Sequence, residues 1–253
     1  MRVGISPRMI LAVDCGNSRL KWGLHDESGW LKTGTVPLSA LGNLKGIWKK
    51  IPPADKIVVA NVAGRSARRR LEDAFSRWGS VVVWVAAKRR ACGVTNGYGK
   101  PEQLGADRWA ALIGAWSMFR APCLVVAAGT ATTADVLRGD GTFAGGVILP
   151  GLELMKRSLA HNTAGLPLVR GRFSDVPRNT ADAIESGCLL AQAGAIERAF
   201  AAMEPGATCI LAGGAAGRIA PHLSIPVRLV DNLVLEGLVR IANESPDSPR
   251  TPP

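Results

Sequence analysis

The chain is poor in the residues that announce a metal centre, a disulfide framework or a membrane segment. Its three histidines, His25, His161 and His222, stand at no metal-ligand spacing and read as ordinary surface or capping residues. Five cysteines, Cys15, Cys92, Cys123, Cys188 and Cys209, are odd in number, scattered and without a CxxC pair. That usage excludes a disulfide scaffold or zinc ribbon and fits small buried thiols in a reducing compartment. No apolar run approaches the roughly 18–20 residues that a membrane span needs. The opening stretch, MRVGISPR, is too short and too weakly apolar for a secretory signal, so a cytoplasmic location without a membrane partner is expected. Acidic residues are scarce as well: 20 Asp and Glu against 31 Lys and Arg leave a net charge of +11. Such an excess favours anionic ligands, nucleotides among them. Its densest runs, Arg65–Arg70 and Lys88–Arg90, read as solvated faces, and nucleic acid is not an expected partner.

What the chain does have is apolar material, 47% of 253 residues, enough for one large domain or two small ones. The most informative stretch is LAVDCGNSRLKWGL at Leu11–Leu24. An apolar strand ends in Asp14-Cys15-Gly16-Asn17-Ser18, and a second strand carries Lys21. Glycine lets backbone come close to an anion. Asn17, Ser18 and the turn amides can donate to phosphate oxygens, and Lys21 can meet them as a point charge. Asp14 has the wrong sign for phosphate but the right one for a magnesium ion that bridges phosphates. Taken alone, the stretch fits a tight hairpin with a solvated lysine equally well.

The chain then repeats itself. LVVAAGTATTADVL at Leu124–Leu137 lays Gly129 on Gly16, Thr130 on Asn17 and Ala127 on Asp14, and a third strand, Cys209–Ala212, runs into Gly213-Gly214. Two glycine hairpins half a chain apart predict a duplicated domain with a nucleotide between the copies. Between them the pattern predicts a strand pair over Gly29–Leu38 and a helix over Leu41–Lys50, stopped by Pro52-Pro53. A strand at Ile57–Ala60 precedes a helix over Ser66–Trp78, and a strand of parallel type follows at Val81–Val85. A helix begins near Asp107 and buries Trp109, Leu112, Ile113 and Trp116. Further on come a strand at Phe143–Leu149, a helix over Leu152–Leu159, a long helix over Asn179–Met203 interrupted at Gly187 and Gly194, and a last helix over Val230–Ala242. The small residues of the long helix would admit a second helix, as in a dimer. The proline- and serine-rich end, 243–253, is expected to be disordered.

DxGNSxxK at Asp14–Lys21, PxxLGxDR at Pro101–Arg108 and GTATT at Gly129–Thr133 give the chain a strong resemblance to the type III pantothenate kinases. GGxxxPG at Gly145–Gly151 and NTxxAIxSG at Asn179–Gly187 extend it, so that it covers Met9 to about Ala242. The resemblance implies an α/β fold of the actin-like, sugar-kinase and Hsp70 type. Two duplicated domains, 9–118 and 119–242, would flank an ATP cleft, in a homodimer that phosphorylates the primary hydroxyl of pantothenate. By the same resemblance Asp107 is the catalytic base. Tyr98, Gly105, Ala106, Asp107 and Arg108 form the substrate site with Thr180, which comes from the partner subunit. Asp14, Cys15, Gly16, Asn17, Ser18, Arg19, Leu20 and Lys21 form the first phosphate loop, Thr130 belongs to the second, and Gly213-Gly214 make the adenosine turn. Asp14 is the expected organiser of magnesium, through water. From local sequence alone Asp107 and Thr180 also fit helix N-caps, and Tyr98, the only tyrosine, fits simple packing in a glycine turn.

One position departs from the family pattern. Where many members carry an aspartate that helps to bind a monovalent cation, this chain has Ala127, so no potassium or ammonium site is expected there. Two other readings compete. Members of the family were first described as accessory factors for gene expression, a role that the net charge of +11 and the altered second loop would suit. A different small alcohol could also serve as acceptor, because the fold does not dictate it. The complete base, phosphate-loop and substrate motifs favour the kinase.

Overall fold

The computed structural model describes residues 8–76 and 78–244. The expected disorder of 243–253 therefore falls almost wholly outside the described residues. Two compact units emerge. Of the described residues, the first takes 8–94, Lys100–Ser117 and 234–244; the second takes Thr95–Gly99 and Met118–Leu233.

The first unit is built on a five-stranded sheet of order β3-β2-β1-β4-β5. Its strands are β1 (Ile10–Cys15), β2 (Arg19–Asp26), β3 (Gly29–Pro37), β4 (Lys56–Asn61) and β5 (Val81–Trp84). β1 is antiparallel to β2 and parallel to β4, and β4 is parallel to β5. Both faces of β1 and β4 are covered, which is why these strands read as unbroken apolar runs. Side chains alternate across the pleat. Leu11, Val13, Ile57 and Val59 meet a cluster that includes Trp48, Leu71 and Phe75 from the helices α1 (Leu44–Trp48) and α2 (Gly64–Phe75). Ile10, Ala12, Val58 and Ala60 meet Ala106 and Ala110 of α3 (Ala106–Phe119), with Leu235, Leu238 and Val239 of α7 (Leu233–Asn243). The C-terminal helix thus packs on the first sheet rather than closing the second half, and between the two hairpins the units part at Ser117 and Met118. Gly237 makes that packing possible, since a Cβ there would run into the backbone of Ala110. Trp30 adds a hydrogen bond from Nε1 to Glu236 Oε1, 2.6 Å.

The second unit repeats the topology. Its strands are β7 (Val94–Asn96), β8 (Cys123–Ala128), β9 (Ala131–Leu137), β10 (Thr142–Pro150), β11 (Thr208–Ala212) and β12 (Val227–Leu229), with the two-residue β6 (Arg90–Ala91) ending the sheet order β12-β11-β8-β9-β10-β7-β6. Within it β10-β9-β8-β11-β12 has the connectivity and the parallel or antiparallel sense of β3-β2-β1-β4-β5. This is the duplication read from the two glycine hairpins. One face carries α4 (Leu152–Asn162), α5 (Thr180–Phe200) and the one-turn α6 (Ala216–Ile219) over Leu124, Val126 and Ala128.

Three local expectations are corrected. Gly29–Leu38 is one strand rather than a pair. Leu41–Lys50 is a 3₁₀ turn over Leu38–Asn43 followed by the short α1. α5 runs unbroken through Gly187 and Gly194. A helical glycine costs about 1 kcal/mol, and the buried face of Ile184, Cys188, Leu189 and Ile196 outweighs it. A Cβ at either glycine would meet open space, so nothing among the described residues uses the room they leave.

Candidate active site

In the first unit β1 brings Asp14 to its C-terminal end, and the antiparallel register sets Lys21 of β2 directly opposite. The turn between them closes with a hydrogen bond from Gly16 N to Arg19 O, 3.1 Å. Asn17, Ser18 and Arg19 are exposed, whereas Cys15 and Leu20 are fully buried. The side chains of Cys15 and Leu20 therefore belong to the core, and these two can offer a ligand only backbone. Burial first, and the Asp14 charge second, push the Cys15 thiol up to about 11, so it is no nucleophile. Gly16 does not use left-handed backbone, and a Cβ there would only touch Arg19 O.

Asp14 is the electrostatic centre of this unit. Burial pushes its carboxyl up to about 7, the charge of Asp107 adds to the rise, and Lys21 pulls it back. Two carboxylates and one lysine thus share a small region. Asp107 is the second residue of α3, in the first turn, where the helix dipole favours a negative charge. It is not the N-cap: Trp109 N donates to Gly105 O at 2.9 Å, which makes Gly105 the residue at the helix start. Asp107 Oδ1 accepts from Arg108 N at 2.8 Å. A Cβ on Gly105 would lie 2.6 Å from Asp107 Oδ1. Gly105 is therefore the space into which the carboxylate fits. Arg108 and Ala106 are buried.

In the second unit the equivalent turn is one residue tighter: Gly129 N donates to Ala131 O, 3.0 Å, and Ala127 faces Thr133 across β8 and β9. Two further backbone bonds recur in both copies. Leu38 N donates to Ser18 O and Gly151 N to Thr130 O, each 3.0 Å; Val62 N donates to Cys15 O at 3.0 Å and Ala215 N to Ala128 O at 3.1 Å. Gly151, whose site role the sequence did not reveal, has no room for a Cβ against the carbonyls of Gly129 and Thr130. Its signal was the Pro150-Gly151 pair ahead of a helix. Gly213 has φ +103° and lies against the backbone of Ala128, so the second glycine turn and the Gly213-Gly214 turn touch. A Cβ on Gly214 would meet nothing.

The remaining predicted residues occupy other elements of the second unit. Tyr98 follows β7; its N donates to the buried Asn96 Oδ1 at 3.0 Å and its ring packs on Phe143 with centroids 5.0 Å apart. Thr180 is the exposed first residue of α5, and the capping side chain is Asn179, which accepts from Asp182 N at 2.9 Å. The Thr180 hydroxyl is thus not spent on the cap.

Among the described residues no group of three or more His, Cys, Asp or Glu could hold a metal. A lone divalent ion bound by protein carboxylates is not what this donor set suits. A cation held partly by phosphate and water does fit, since it would relieve the repulsion between Asp14 and Asp107.

Residues 10–202 match the family model of type III pantothenate kinases. A type III pantothenate kinase of Dechloromonas aromatica (strain RCB) is 49% identical over 238 residues, 94% of this chain and 100% of that protein. Solved structures share the fold at low identity. A protein from Campylobacter jejuni described as a Baf family transcriptional activator superposes with a TM-score of 0.63 at 20% identity, over 91% of this chain and 96% of its own. One from Sinorhizobium meliloti described as a 2-dehydro-3-deoxygalactonokinase gives 0.59 at 16%, over 92% and 98%. The duplicated sheets are those of the sugar-kinase and actin-like fold, and at this identity to curated relatives the chain belongs to the type III pantothenate kinase family.

Proposed function

We propose that the chain transfers the γ-phosphoryl group of ATP to the primary hydroxyl of pantothenate, giving 4'-phosphopantothenate, the first step towards coenzyme A, in the cytoplasm. The observation that carries the reading is the pairing of Asp14 with Lys21 beside Asp107, set on a strand end and a helix start. Phosphoryl transfer asks for positioning, charge neutralisation and a group to receive the alcohol proton. Asp107 is the base. Gly105 leaves its carboxylate free on the side that Arg108 N does not occupy. Lys21, Asn17, Ser18 and the turn amides of residues 15–20 hold phosphate oxygens, with Thr130 and the Gly213-Gly214 turn as the contribution of the second copy. Asp14 organises magnesium through water; the ion, when bound, supplies neutralisation of phosphate charge. Tyr98, Gly105, Ala106, Arg108 and Thr180 form the pantothenate side.

A homodimer completes this reading, with Thr180 serving the partner's site. Its support is apolar surface on the second unit: Val147 and Ile148 of β10, Leu154 and Leu159 of α4 and Leu190 of α5 are exposed, beside the open space at Gly187 and Gly194. Sedimentation equilibrium tests it. Ala127 leaves no carboxylate for a monovalent cation. The regulator reading rests on the net charge and the altered second loop, and it gives no reason for a buried carboxylate, Asp14, held at a raised pKa beside Asp107.

The decisive experiment is phosphate transfer from magnesium-ATP to pantothenate, with the product identified by mass and Asp107→Asn run alongside. Product from the wild type only, with both proteins folded, is the expected result. A near-normal rate from Asp107→Asn refutes the base, and no product from the wild type refutes the function.

A further inference from the structure

A charge network with a buried hub links α4, α5 and α6 of the second unit, on residues that none of the sequence motifs singles out. Glu185, 6% exposed, is its hub. Its Oε2 accepts from Lys156 Nζ of α4 at 2.6 Å, and its Oε1 accepts from Arg218 Nη2 of α6 at 2.6 Å. Arg218 also reaches back to Glu153 of α4 through Nη1, 2.5 Å. Lys156 is itself 5% exposed, with its Nζ held by this carboxylate.

The three helices that this carboxylate joins each follow or carry a part of the proposed site. α4 starts at Gly151, whose N–H is held by Thr130 O. α6 follows the Gly213-Gly214 turn, and α5 begins at Thr180. α6 has only four residues, far fewer than a helix needs to persist by itself. Its place depends on what it is fastened to: Ala216 and Ile219 in the core, and Arg218 on Glu185 and Glu153. A buried ion pair is poor value as a source of stability, since desolvation takes back most of the attraction. Its worth is in fixing geometry.

We infer that Glu185 is a positioning residue for ATP: by fastening Arg218 it holds α6, and with it the Gly213-Gly214 turn, against the Thr130 loop. The inference rests on the proposed kinase reading. Its test uses two double variants, because Glu185→Gln alone would leave Lys156 charged, buried and unpaired, and would lower stability whatever its role. Lys156→Met with Glu185→Gln removes the ion pair but keeps an oxygen for Arg218. Lys156→Met with Glu185→Leu removes that oxygen too, and Arg218, already partly exposed, is left to Glu153 and water.

Nucleotide affinity is read by calorimetric titration with magnesium-ADP, and KM for ATP, KM for pantothenate and kcat by steady-state kinetics. Losing one partly buried charge-assisted hydrogen bond that acts on the turn is expected to raise the ADP Kd and the ATP KM about tenfold in the leucine variant. The glutamine variant should stay within about threefold of wild type, and both should keep pantothenate KM and melt near the wild-type temperature. Equal nucleotide affinity in the two variants overturns the inference, as does a leucine variant whose pantothenate KM rises as much as its ATP KM. A wild type that binds no nucleotide would instead overturn the kinase reading, and this assignment with it.

Discussion

Asp14→Asn should make the protein more stable while it removes the use of ATP. The reason lies in the raised carboxyl of Asp14, lifted from 3.8 to about 7 chiefly by burial and then by Asp107. A native state that holds a proton more tightly than the unfolded chain loses stability as pH rises from the unfolded value through the folded one. The loss begins near pH 4 and is complete above about pH 7. About three pH units at about 1.4 kcal/mol each set a ceiling of roughly 4 kcal/mol on the penalty at pH 8. Asparagine keeps the shape and has no charge to bury. In magnesium-free buffer the variant is expected to exceed wild type by a few kcal/mol at pH 8, with the gap narrowing below about 2 kcal/mol at pH 5. Urea unfolding followed by tryptophan fluorescence suits the measurement, because Trp22, Trp48 and Trp78 lie in the core of the same unit. A variant no more stable than wild type at pH 8, or a gain that does not change with pH, would refute the reasoning.

Other consequences are as direct. Gly105→Ala places a methyl group 2.6 Å from Asp107 Oδ1, so kcat should fall by tenfold or more while KM for ATP changes little, as steady-state kinetics would show. Gly237→Ala forces α7 away from the Ala110 backbone. A loss of about 2 kcal/mol or more is expected in urea unfolding, without a change in ATP affinity once folded. With Ala127 facing Thr133 rather than a charged partner, wild-type rates should be equal in potassium and sodium chloride, and Ala127→Asp should make the rate higher in potassium.

The strand-turn-strand units were legible because both signals are local. An apolar run long enough to be covered on two faces ends at a small polar cluster, and the cluster recurs at the same place in the second copy. The parallel sense of β5 was legible from its continuous valine-rich run, although the strand is only partly buried. The home of α7 was not. Its apolar stripe says that it is buried, but whether against the first sheet or the second is decided by Gly237 fitting the Ala110 backbone, a fact of tertiary packing. The interruption expected in α5 failed because two glycines are weak against a helix face buried along its length. β12, three residues with two of them exposed, has too little pattern to be seen. Of the proposed site, Asp14, Lys21 and Asp107 were named from the motifs, while Cys15 and Leu20 lie within the same motif with their side chains buried. The Glu185 hub was invisible, since its partners lie 29 and 33 positions away.

The two copies also separate what a turn needs from what a reaction needs. Three backbone hydrogen bonds recur around both glycine turns, at lengths within 0.1 Å of each other. The strands on either side share one topology, so the frame depends on strand pairing and glycine rather than on any charged side chain. At the paired position beside the turn, charge is present in only one copy. Asp14 faces Lys21 across β1 and β2, whereas Ala127 faces Thr133 across β8 and β9. In the first copy burying a carboxylate is tolerable because a lysine stands opposite, and even so its pKa rises. In the second no cation stands opposite, and a carboxylate at position 127 would lack that compensation unless an ion supplied it. On the proposed reading the neutral pair Ala127 and Thr133 removes the need for such an ion, and the demand for charge neutralisation would fall on the first unit, where Asp14, Lys21 and Asp107 lie.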